Sequence, residues 1–202
     1  MSDPFDQFKF DPVAIQARYD AERDKRLKLR PEGEAQYQRM EGAFEHYAID
    51  PFMPVEAREP QRRNVEVLIA GGGFAGLLAA GRLRDQGIDD LLIIERGGDF
   101  GGTWYWNRYP GAACDVESYL YLPMLEETGT IPSAKYIGSP EILEHVRTLA
   151  CRYDLYSRAL HHTVTTAANW DEDISRWIVT TDRGDEICTK YLILASGHYR
   201  LP

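Results

Sequence analysis

Cysteine is scarce in this 202-residue chain, and so is positive charge. Cys114, Cys151 and Cys188 are odd in number and far apart, which excludes a disulfide framework and any cysteine-based metal spacing. They read as reduced thiols, so the expected compartment is the cytoplasm and no metal is expected. Acidic residues outnumber basic ones 32 to 23, a formal net charge of −9. That balance argues against nucleic acid or an anionic membrane as partner, because both reward clustered Lys and Arg. Long apolar runs are missing too: Val67 to Gly81, the longest uncharged one, has 15 residues and is too short to span a bilayer. The opening MSDPFDQFKF lacks an apolar core and predicts no secretory signal. There is no internal repeat and no low-complexity tract. At roughly 150 residues per domain, the length suits one domain and a remainder.

Residues 1–64 are dense in both charges and are expected to form a helical extension and a linker, with residues 1–10 disordered or loosely docked. Asp11-Pro12 reads as an N-cap followed by proline in the first helical turn. The helix is predicted to reach Arg30, with Glu22/Arg26 and Asp24/Lys28 pairs at i,i+4. Its thin apolar stripe suits a solvated helix lying along a larger body. Pro31-Glu32-Gly33 should end it, and a second short helix is predicted over Glu34 to Tyr47. Asp50 to Arg63, with Pro51, Pro54 and Pro60, reads as an extended linker.

Residues 65–202 form the predicted domain. Val65 to Ala70 is a short β-branched strand, Gly71 to Gly73 a turn, and Phe74 to Gln86 a helix with Gly87 as its C′ residue. Leu91 to Glu95 is a second buried strand, which completes a βαβ unit. Residues 96–138 show no period. Ser139-Pro140 is expected to cap and open another helix, with Ile142, Leu143, Val146, Leu149 and Ala150 on its apolar face. His161 to Trp170, Arg176 to Thr181 and Glu186 to Thr189 alternate and carry turns between them, as in antiparallel hairpins. Tyr191 to Ala195 reads as a further buried strand ending in Ser196-Gly197. The fold class is α/β, a Rossmann-like parallel sheet with an inserted β-meander.

Gly71-x-Gly73-x-x-Gly76 follows a strand, opens a helix, and is answered by Glu95 at the end of the next strand. In that context it is a dinucleotide fingerprint. Gly71 permits the turn, Gly73 lets backbone approach a pyrophosphate, and Gly76 allows helix to pack on strand. The helix N-terminus favours the phosphates, and Glu95 accepts from a ribose diol. A 2′-phosphate would be repelled there, so FAD or NAD fits and NADP does not. The aromatic loop, helix and meander inserted before Ala195-Ser196-Gly197 resemble the FAD domain of flavoproteins built from two dinucleotide-binding domains.

Gly101-Gly102-Thr103-Trp104-Tyr105-Trp106-Asn107-Arg108-Tyr109-Pro110-Gly111-Ala112-Ala113-Cys114-Asp115 is the most selective stretch. Trp104 stands where a disulfide reductase would carry its first redox cysteine, which excludes dithiol chemistry. The stretch resembles the first signature of Baeyer–Villiger monooxygenases, at Gly102, Trp104, Tyr109, Pro110, Gly111 and Asp115. The resemblance implies FAD, NADPH and O2, and conversion of a ketone to an ester or lactone. It places Thr103, Trp104, Tyr105 and Trp106 at the flavin and Tyr121 hydrogen-bonding near it. The Val164 backbone would meet the adenine, and Ala113 and Cys114 would lie where nicotinamide enters. Asp115 becomes the catalytic candidate, a carboxylate in a largely apolar pocket beside the flavin. A related flavin monooxygenase acting on nitrogen or sulfur, or a non-catalytic flavin module, would carry many of the same features. Apart from the family, the aromatic cluster reads as core packing and Asp115 as a loop cap or a partner of Arg108. Of His161 and His162, at least one should face solvent. The second family signature and a second glycine fingerprint for NADPH are absent. The expectation is therefore an N-terminal portion whose partner is the remainder of its own enzyme, with the activating arginine in that remainder.

Overall fold

A computed structural model describes residues 11–28 and 41–197. The expectations for residues 1–10, 29–40 and 198–202 lie outside the described residues. α1 (Pro12–Lys28) begins as predicted: Asp11 Oδ1 accepts the Val13 N–H at 2.9 Å. Its ion pairs differ from those expected. Arg23 pairs with Asp20 and Asp24, and Lys25 with Glu22. None of its residues is buried. Gly42–Ala48 is an exposed 3-10 helix within the stretch predicted as α-helical.

β1 (Arg62–Ala70) starts three residues before the predicted strand. Arg62 to Val65 align in parallel with Glu186 to Thr189 of a later strand. Pairing rather than burial makes this half extended, and so the hydrophobic pattern missed it. α2 (Phe74–Asp85) ends as expected: Gly87 has φ +78, and Ile88 N–H bonds back to Leu83 O. β2 (Leu91–Ile94) is buried and runs parallel to β1. Three single-turn helices follow in the aperiodic segment: α3 (Thr103–Trp106), α4 (Ser118–Tyr121) and α5 (Leu125–Thr128).

α6 (Ser139–Arg152) buries the predicted apolar face, but its cap is Gly138. Ser139 sits inside the first turn and donates its hydroxyl to Asn107 O, which anchors the helix to the loop after α3. β3 (Ala159–Leu160) and β4 (Thr165–Asp171) replace the single strand expected over 161–170. His162, at φ +49, breaks the extended run. β5 (Arg176–Thr181) lies where predicted. β6 (Glu186–Leu194) fuses what read as two strands. It is not buried throughout: Tyr191 is 52% and Leu194 74% exposed. The first half of β6, Glu186 to Thr189, pairs on both edges, parallel to β1 and antiparallel to β5, whereas the apolar half Tyr191 to Leu194 pairs with β1.

The six strands run β3-β2-β1-β6-β5-β4. One face of β1 and β2, with Val67, Ile69, Leu91 and Ile93, packs on Leu77 and Ala80 of α2 and Val146 and Leu149 of α6. The other face gathers Leu68, Leu92, Ile94, Leu160, Val179 and Ile187. Because β1 is buried on both faces near its C-terminal end, the glycine turn that follows is held on a rigid base.

Candidate dinucleotide site

Two of the fingerprint glycines, Gly71 and Gly76, are required by close backbone neighbours, and Gly73 packs against Gly102. Gly71 has φ +119, and a Cβ there would lie 2.3 Å from Ala195 O, so the strand ending in Ala195-Ser196-Gly197 closes directly onto it. A Cβ on Gly76 would lie 1.9 Å from Gly71 O. Gly73 faces Gly102: a Cβ on Gly102 would stand 2.9 Å from Gly73 Cα. The fingerprint and the aromatic signature therefore meet backbone to backbone. At α2 the first helical turn bond is Leu77 N–H to Gly73 O, and the amides before it point out of the helix start.

Glu95 is buried beneath this turn. Its carboxylate oxygens accept the N–H groups of Gly72 at 2.5 Å and Gly97 at 2.6 Å. Burial pushes its pKa up, against the pull of those bonds and of Arg96. Each oxygen keeps a further lone pair, so accepting from a ribose hydroxyl is compatible with the backbone bonds. The donor set of helix start, close glycine backbones and acceptor carboxylate fits a dinucleotide.

The aromatic segment divides into core and surface. Trp104 packs among Cys114, Leu122, Ile137, Ile142 and Leu143, and its Nε1–H donates to Tyr121 Oη at 2.8 Å. Tyr121 lies edge-on to Phe74 and Trp104, and burial raises its phenol pKa. Thr103 is exposed, and Trp106, half-buried, carries the Arg96 guanidinium over its ring. Tyr105 is fully buried and donates its hydroxyl to Asp50 at 2.5 Å. Ala113 is exposed and bridges to Gly138. Cys114 is buried, with Sγ accepting the Val116 N–H.

Asp115 is exposed rather than lodged in an apolar pocket. It sits on a loop that runs across the surface, and no described element covers it. Arg108 is not its partner: that guanidinium lies 3.9 Å from the Phe52 ring and 4.5 Å from the Tyr105 ring. The Val164 N–H donates to Asp182 Oδ1 and its carbonyl accepts the Asp182 N–H. Neither histidine turns to solvent, because the left-handed residue His162 breaks strand alternation. His161 stacks edge-on against Phe100, with both ring nitrogens buried and unpartnered. His162 donates from Nε2 to Asp50.

Residues 50–61, read as a linker, are a strap fastened at two points. Asp50 takes hydrogen bonds from Gly98, Tyr105 and His162. Arg58 makes a two-pronged pair with the fully buried Asp185 side chain, which also accepts from Gln61 N–H and Thr181. Arg58 holds the Asp185 carboxyl far below the usual carboxylate range. The partners of Asp50 and Arg58 lie far along the chain, so the only local signal was the turn-forming Asp50-Pro51 step.

Residues 69–128 match the model of an NAD(P)-binding Rossmann-like domain. Over 193 residues, 96% of this chain, the sequence is 45% identical to Baeyer-Villiger monooxygenase 4 of Dietzia sp. (strain D5). The chain is related to the Baeyer–Villiger monooxygenases. Ketocytochalasin monooxygenase of Aspergillus clavatus is 46% identical over 200 residues, 98% of this chain. Among solved structures, the polycyclic ketone monooxygenase of Thermothelomyces thermophila superposes with a TM-score of 0.81 at 36% identity over 94% of this chain. An oxidized steroid monooxygenase bound to NADP superposes with a TM-score of 0.60 at 43% identity over 66%. The match is partial from the other side: this chain covers 31%, 31%, 33% and 26% of those four proteins respectively. It spans about a third of the length of the curated relatives it matches. The similarity to the family includes the extension, since 98% coverage reaches well before β1. Among the described residues no helix is long and apolar enough to cross a membrane.

Proposed function

We propose that this chain is the FAD-binding portion of an NADPH- and O2-dependent Baeyer–Villiger monooxygenase that converts ketones to esters or lactones in the cytoplasm. The observation that carries the reading is the contact of Gly73 with Gly102, which sets the dinucleotide turn against the family signature. When bound, FAD supplies electron transfer from NADPH and activation of O2. The chain's own residues hold and orient it. The start of α2 takes the pyrophosphate, Glu95 accepts from the ribose, and Thr103 and Trp106 present the accessible side of α3 to the ring system. Trp104 and Tyr121 fix that helix from behind through their mutual hydrogen bond. Asp115 is the catalytic candidate: an exposed carboxylate placed to receive a cationic side chain from the rest of the enzyme, whose charge would steady a developing oxyanion. NADPH and ketone would be held mainly by parts of the polypeptide beyond these residues.

The test is direct. The purified chain is mixed with FAD, passed over a desalting column, and its visible flavin spectrum recorded. Retained flavin with quenched fluorescence is expected. Failure to retain it, even when the remaining two-thirds of the enzyme is supplied, would overturn the reading. Product analysis of that reconstituted enzyme with a ketone and an amine then separates ester formation from N-oxidation.

A further inference from the structure

The loop between β2 and α3 forms one wall of the proposed cofactor site, and its successive amides are captured by two buried carboxylates. Gly97 N–H goes to Glu95, and Gly98 N–H goes to Asp50 Oδ2 at 2.8 Å. Glu95 belongs to the dinucleotide fingerprint, whereas Asp50 comes from the strap. The same Asp50 oxygen accepts from Tyr105 Oη at 2.5 Å and His162 Nε2 at 2.9 Å. Its other oxygen accepts Phe52 N–H at 2.9 Å and closes a turn at the head of the strap. The Asp50 side chain is only 3% exposed. Burial opposes its ionisation, but the bonds from Tyr105, Phe52, Gly98 and His162 together hold its pKa at about 2.

The fit around this carboxylate is tight. A Cβ on Gly98 would lie 2.6 Å from Met53 and 2.7 Å from His162, and one on Gly97 would lie 2.9 Å from the Tyr105 ring. Phe52 meets Tyr105 edge-on, and Arg108 lies against both rings while its Nε donates to Tyr105 O. The far end of the loop is tied to the fingerprint by Gly101 N–H to Gly72 O. This carboxylate therefore fastens three segments, through Gly98, Tyr105 and His162, at the back of the wall whose front is Gly102 and Thr103.

We propose that Asp50 is a positioning residue for the cofactor site: through Gly98 and Tyr105 the strap sets the loop Gly97–Gly102 and helix α3 at the spacing from Gly73 that FAD requires. The proposal rests on the FAD reading above and adds the N-terminal strap to the site. In mechanism it acts on affinity and orientation and leaves the chemistry to other groups.

The test uses the full 202-residue chain with Asp50→Asn, which puts an amide where three donors need an acceptor, and Tyr105→Phe, which keeps the ring and removes one donor. Two quantities are measured for each: hydrogen exchange of amides 97–106 against those of α6, and FAD affinity by fluorescence titration. Faster exchange in 97–106 with α6 unchanged is expected, with about tenfold weaker FAD binding for Asp50→Asn. A smaller loss is expected for Tyr105→Phe. The two substitutions together should cost less than their product, because they share one hydrogen bond. Asp50→Glu should recover part of the affinity. Loosened exchange with unchanged affinity, or unchanged exchange, overturns the proposal. A wild-type chain that binds no FAD even with the remaining two-thirds of the enzyme supplied overturns it together with the reading beneath it, and the exchange data alone then show whether the strap holds the loop.

Discussion

The glycine turn and the strap hold the loop Gly97–Gly102 from opposite sides and by opposite means. The turn works by having no side chains: Gly71, Gly73 and Gly76 let backbone pack on backbone, and one carboxylate, Glu95, ties it to the loop. The strap works by burying charge, with Asp50 and Asp185 each gathering hydrogen bonds from several segments. A steric device fails all at once when an atom is added. A polar device fails in proportion to the partners it loses. The comparison teaches that a site of this type is shaped by residues outside its motif as much as by those within it.

The largest expected effect lies in the turn. Gly76→Ala would drive a methyl into Gly71 O and should cost about 3 kcal/mol or more, read from the denaturant midpoint, along with FAD retention. A loss below about 1 kcal/mol would mean that the turn can shift, and the contrast with the strap would weaken. Next comes the rear of the strap. Arg58→Met leaves Asp185 buried without its cation and should cost about 2–3 kcal/mol. The sign of its pH dependence is fixed. A depressed carboxyl pKa stabilises the fold above the ordinary carboxylate range, and that contribution is lost as pH falls through the folded value. Asp50 behaves alike, giving way between its ordinary range and about pH 2. Acid unfolding of Arg58→Met should therefore be shallower than that of the wild type.

A smaller effect comes from histidine. His145 is buried, with Nε2–H donating to Pro123 O and Nδ1 facing Thr130 Oγ1, and burial lowers its pKa. Burial lowers that of His161 as well. The unfolded chain takes up these protons first, so stability should fall as pH drops below the ordinary histidine value. The slope is at most about 1.4 kcal/mol per pH unit for each histidine. His145→Gln should flatten the curve in urea titrations between neutral and mildly acidic pH. The smallest effect is a control outside both regions: Ala17→Gly in α1, which buries nothing, should lower helical circular dichroism and leave the melting midpoint within error.

Much of the architecture was legible where the signal was local. The βαβ unit, Gly87 as C′ residue, the apolar face of α6 and the position of β5 all follow from patterns a few residues long. Several of the differences share one cause, contact with distant chain. Arg62 to Val65 became strand because β6 lies beside them, and Ser139 turned from cap to anchor because Asn107 was within reach. The bond of Tyr105 to Asp50 was likewise invisible in the sequence, since the two lie 55 residues apart. The exposure of Asp115 and the bond of Val164 to Asp182 were not legible either. Sequence pattern reports what a residue does with its neighbours along the chain, and the strap is built almost wholly from neighbours in space.

The position of β6 between β1 and β5 has a consequence for synthesis. β1 can pair with β2 soon after both are made, but its other edge must wait until Glu186–Leu194 emerges from the ribosome. At cellular translation speeds that wait is on the order of ten seconds. Through it the nascent chain presents an apolar edge that any passing strand could extend. Abortive products ending before Glu186 would keep that edge open, which makes them natural clients for chaperones and the species from which inclusion bodies would grow.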